Sequence, residues 1–239
     1  MSSFELSRHN FIASGVSAAA ASGRASDLAL APAAVDQAPQ PQVSGVVPFS
    51  FDRAAFQAIV ERPYPHRQLV APSSFQAATV AMSHFKNSLA AYADPKGFAG
   101  GPNSLHCAAV LYAGRSYTLA FDDAMYAKYP LGLINDEEMR PNDTSARAYW
   151  TALRRNPMAD FMRPLAEQGV ALFVCNNALS GFAAELARRT VPQGGAVTRE
   201  QVVAIHDELA AHFLPGTMLV PAGVAAVNAA QEARFTFLP

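Results

Sequence analysis

Cys175 is the residue best placed for chemistry in this 239-residue chain. It closes the apolar run Val170-Ala171-Leu172-Phe173-Val174 and stands just before a helical pattern. Backbone N–H groups and the helix dipole at such a position stabilise a thiolate. A second reading stays open beside it, because free cysteine is among the most buried residue types and packs as a small hydrophobe. Cys107 lies near the start of an earlier apolar run and is read as packing at the opposite end of a sheet. The histidines offer no ligand motif. His206 and His212 are six positions apart on one predicted helix, about 240° around its axis, and so do not share a face. Gly100-Gly101 and Gly194-Gly195 lack the spacing of a dinucleotide or phosphate loop, and Ser180-Gly181 lacks the hydrolase elbow. No cofactor is expected.

The elements that must position Cys175 alternate along the chain. A short helix is expected over Phe51–Val60 with Asp52 as N-cap, then a strand over His66–Ala71. Pro72-Ser73-Ser74 opens a helix carrying Phe75, Ala78, Val80, Met82, Phe85, Leu89 and Tyr92, whose aromatic stripe is read as core. Leu105–Ala113 is a continuous apolar run of the kind found in a strand buried on both faces, and Ser116–Lys128 has the period of its crossover helix. The prolines and acidic residues of 129–158 are read as an irregular insertion holding a short helix near 146–153. After the Cys175 strand, Asn176-Asn177 is expected to turn into a helix over Leu179–Arg189. Further elements are a helix over Thr198–Phe213, a strand over Thr217–Val220, a helix over Val224–Ala233 and a short strand over Phe235–Leu238. Strands alternating with helices imply an α/β fold: a three-layer, doubly wound, mainly parallel sheet of about five strands. Sites in such sheets lie beyond the carboxyl ends of the strands. The candidate binding residues there are Gly114, Asn176, Asn177, Pro221 and Gly223.

Charge and composition exclude several partners. Residues 1–44 hold two of the 18 basic and three of the 19 acidic residues, leaving 16 of each in the rest. That balance removes the electrostatic case for nucleic acid or an anionic membrane. At 51% hydrophobic and 15% charged the chain is no disordered tail. Two cysteines are too few for a disulfide scaffold. Residues 1–35 have the order of an export signal, with Arg8 ahead of a weakly apolar run, Phe11–Ala21, and small residues up to Ala31. The run is well short of the roughly 20 apolar residues that span a bilayer, so no membrane span is expected. Ser7-Arg8-His9-Asn10-Phe11 resembles a twin-arginine motif with His9 in the place of the second arginine. The expected location is periplasmic or otherwise exported. Residues 36–50, rich in Pro, Ala and Gln, are read as a linker to a domain over 51–239.

Three stretches carry a family resemblance: Gly169 to Leu179 with Cys175 at a strand end, Thr217 to Val224 with its Pro221-Ala222-Gly223 turn, and Gln231-Glu232 near the end of the last helix. Together they resemble the DsrE/DsrF-like family over about residues 105–238, the insertion aside. The chain departs from that pattern at Arg234, where the family commonly has Gly, and at Tyr112-Ala113-Gly114, where a His-Gly turn is common. The resemblance implies a five-stranded doubly wound domain and homo-oligomers. For some members it also implies a cysteine that carries persulfide sulfur between partner proteins, a role only Cys175 matches. With no second cysteine or paired base placed to support turnover, a binding or assembly domain is the expected function, and a sulfur carrier using Cys175 is the alternative.

Overall fold

The computed structural model describes residues 45–238 apart from 99, 102, 140–143 and 193–194. The proposed export signal lies outside the described residues. Among the described residues nine helices and five strands follow in the order α1 (Arg53–Val60), β1 (His66–Val70), α2 (Phe75–Ala93), β2 (Leu105–Leu111), a 3₁₀ turn (Ser116–Ala120), α3 (Asp123–Lys128), α4 (Leu131–Met139), α5 (Thr144–Ala152), α6 (Ala159–Glu167), β3 (Ala171–Cys175), α7 (Asn176–Thr190), α8 (Arg199–Ala211), β4 (Thr217–Val220), α9 (Gly223–Glu232) and β5 (Thr236–Phe237). The strands form one sheet in the order β4-β3-β2-β1-β5, and every pairing is parallel.

That order explains the layers. From β1 to β4 the chain adds strands in one direction, and then α9 carries it back across β3, β2 and β1 to set β5 on the free edge of β1. Crossovers of one hand that run in opposite directions put their helices on opposite faces. The larger core accordingly holds residues of α2, α3, α4, α6, α7 and α8 against Val70, Cys107, Ala109, Leu111, Leu172 and Val174. The smaller core holds α1 and α9 against Leu69, Ala108, Val110, Ala171, Phe173 and Val220. Alternate residues of each strand divide between the two cores, as the pleat requires. Every residue of β2 and β3 is buried, which is why β3 reads as an unbroken apolar run and β2 as one interrupted only by His106.

Side-chain caps open α1, α2, α3 and α8. Asp52 accepts from Ala55 N–H at 2.8 Å and Ser74 from Ala77 N–H at 3.0 Å. Thr198 and Gln201 complete a capping box at α8.

Four segments differ from the sequence reading. The crossover over Ser116–Lys128 is not one helix: the chain breaks at Phe121, which bridges to Phe213, and Asp122 then caps α3. The segment read as irregular carries α4 besides the expected short helix, here α5, since Pro130 precedes α4 rather than interrupting it. Helix α6 was hidden by Pro164 in its middle, yet Ala159, Met162 and Leu165 form its buried stripe. Residues 45–50, read as the end of a linker, pack on the domain, with Val47 only 1% exposed. No helix among the described residues is long and apolar enough to cross a membrane.

Candidate functional site

At the carboxyl end of β3, Cys175 is itself the N-cap residue of α7, which begins at Asn176 without the expected turn. Its side chain makes no capping bond and is 5% exposed. Asn176 is equally buried, and its amide is fully engaged. Nδ2 donates to Val47 O at 2.8 Å, and Oδ1 lies 2.7 Å from His206 Nε2 on α8. Asp207 Oδ1 stands 3.0 Å from the other nitrogen of that ring. Val47 N–H donates to Ser180 Oγ at 3.0 Å, one turn along α7. The first turns of α7 therefore recognise the peptide of Val47 rather than an open cleft.

The other predicted residues scatter. Asn177 is exposed. Gly114 (φ 45°) and Arg115 (φ 55°) turn the chain after β2 through two successive left-handed positions, and the Arg115 guanidinium reaches Ile134 O at 2.6 Å and Glu185 at 3.0 Å. Gly223 is buried at the start of α9, where a Cβ would stand 2.5 Å from Tyr112 Cβ. This is a close approach of helix to strand, not a ligand contact. We predict that Gly223→Ala costs about 1–3 kcal/mol through that overlap. Gly181→Ala, in the middle of α7 with open space around its Cβ, gains about 0.5–1 kcal/mol. Urea unfolding of the two variants should bracket the wild type; a stabilised Gly223→Ala would refute the packing role.

Pro221 alone among the predicted site residues lines a groove of about 870 Å³ between α1 and α9. Phe51, Phe56, Val60, Val220, Ala226 and Ala229 give it apolar walls, and Arg53, Glu61, Arg67, Glu232 and Arg234 stand around it. Its volume falls within the range of ligand sites. Arg67, on β1, fixes the width: its guanidinium donates to Ala233 O at the end of α9 and to Arg62 O just past α1. A cation suits those two helix ends. The aromatic chain Phe51–Phe56–Phe173, with centroids 5.8 and 5.0 Å apart, seats α1 on the sheet.

Compared with family models, curated proteins and solved structures, the chain matches none.

The amino end of the sheet holds a group the sequence reading passed over. His106, on β2, is 1% exposed between the rings of Tyr64 (centroids 5.0 Å, stacked) and Phe235 (5.2 Å). Neither ring nitrogen has a hydrogen-bond partner among the described residues. Burial, helped by the nearby Arg62 and Arg67, pushes its pKa down to about 4. Burial also pushes the Cys107 thiol up to about 12, in keeping with a packing role. Among the described residues no three His, Cys, Asp or Glu side chains are grouped to hold a metal.

No motif marked the groove or the Val47 seat. The one available signal was Arg67, a charge in the polar first half of β1 between His66 and Gln68.

Proposed function

We propose that this chain is an exported, DsrE-like domain that works by binding and self-assembly, and that its contact surface is the groove between α1 and α9. The observation that carries the reading is the groove itself: preformed, apolar within and set by Arg67 at one end. Arg53 and Glu61 stand at opposite ends of α1. A second copy docked about a two-fold axis, its α1 antiparallel, would therefore set each arginine against the partner's glutamate, as an isologous contact requires. The outer positions of the two helices, Ala54, Ala58, Val224 and Ala225, are small or apolar although exposed, and permit close approach. Ala229→Arg, inside the groove, is expected to weaken self-association at least about tenfold, the loss of about 1.4 kcal/mol, while leaving the unfolding midpoint near the wild-type value. Unchanged association in sedimentation velocity would remove the groove from the account.

The second reading is sulfur carriage. Its support is the placement of Cys175 at the N-terminus of α7. There a thiolate would attack the outer sulfur of a donor persulfide, forming Cys–S–SH and releasing the donor thiolate. Its weakness is burial of that thiol in the closed chain.

A further inference from the structure

The segment Gly45–Ser50 holds to the domain by few points. Val47 inserts into the larger core beside α7 and α8, with its N–H on Ser180 Oγ and its carbonyl on Asn176 Nδ2. Arg199, at the start of α8, donates to Val46 O at 3.2 Å. Val46 itself is 49% exposed. Four residues after Val47 the chain has reached the opposite face, where Phe51 and Phe56 pack in the smaller core over Phe173. Strand pleating puts Cys175 on that same face as Phe173, two residues further along β3. The chain between Val47 and Phe51 therefore passes the carboxyl end of β3, where Cys175 sits.

We propose that Gly45–Ser50 is a releasable strap, which when closed seals Cys175 and when open bares it together with Asn176 and Ser180, the side chains that bind the Val47 backbone. The inference is independent of the groove. Its physical basis is unequal stability: among the described residues the strap is held by the Val47 side chain, by the half-buried Phe49 ring 6.3 Å from that of Phe51, and by three side-chain-to-backbone bonds, whereas Cys107 is in the middle of a sheet buried on both faces. Segments held by so few contacts open without global unfolding. The exposed seat would offer a donor for a peptide carbonyl, an acceptor for a peptide N–H and an apolar socket. That is the chemistry of an extended backbone with a small branched side chain, as in Val46-Val47-Pro48.

The test is native-state thiol labelling of the full chain, with each cysteine followed by mass spectrometry. In wild-type protein, iodoacetamide should modify Cys175 at least about tenfold faster than Cys107, with little dependence on added urea, because local opening exposes little new surface. Val47→Ala should speed Cys175 further, by more than it speeds Cys107. A peptide of residues 44–52 should slow Cys175 labelling in that variant. Equal rates at the two cysteines with the same steep urea dependence in wild-type protein would overturn the proposal, since Cys175 would then be reached only by global unfolding. Faster labelling of Cys107 than of Cys175 would overturn it too.

Discussion

Stability should fall by about 3 kcal/mol between pH 6.5 and pH 4 through His106 alone. The folded chain holds this ring neutral down to about 4, against an ordinary value of 6.5. Above 6.5 neither state is protonated, and the full stability is present. Below it the unfolded chain takes up a proton that the folded chain refuses, so stability is lost progressively until the folded pKa is reached. The cause is structural: the ring is sealed between Tyr64 and Phe235, with two guanidinium groups nearby and, among the described residues, no hydrogen-bond partner on either nitrogen. His106→Phe keeps the stacking, gives up no hydrogen bond and removes the titration. Its urea-derived stability should match the wild type within about 1 kcal/mol at pH 7 and exceed it by roughly 2–3 kcal/mol near pH 4. Other carboxylates contribute to acid unfolding in both proteins, so the difference between the two curves isolates the histidine. Parallel curves would show that this ring does not couple to folding.

A larger loss is expected from Phe173→Ala, about 3–5 kcal/mol. The side chain is completely buried in the smaller core and carries the ring of Phe56 at 5.0 Å. Helix α1 has eight residues, too few to be stable alone, so its anchorage on Phe173 decides whether one wall of the groove exists. Chemical denaturation should give the loss directly, and hydrogen exchange should show α1 as the first element to lose protection. Unchanged protection of α1 beside a large global loss would mean that α1 is held by something other than the aromatic chain.

What the sequence disclosed follows from how local each feature is. Strands β2 and β3 are buried on both faces, so apart from His106 their side chains are apolar without alternation and stand out in any window. Asp52, Ser74 and Thr198 announce their helices because a cap is satisfied within three residues. Features made by distant partners stayed hidden. The break at Phe121 depends on Phe213, far along the chain. His106 and His206 are ordinary as letters, and only the aromatic clamp around one and the Asn176 contact of the other set them apart. Residues 45–50 look like linker by composition, yet a single valine met by Asn176 and Ser180 makes them part of the domain. For the same reason the site was half legible. Cys175 and Asn176 do stand at the carboxyl end of β3, but the strap that covers this edge and the groove beside it arise from pieces remote in sequence.

The proposed self-assembly is tested most directly by the mass of the protein in solution. Light scattering on wild-type protein over a range of micromolar concentrations should return a particle of at least twice the mass of one chain, dissociating on dilution and in Ala229→Arg. A monomer throughout that range would contradict the account.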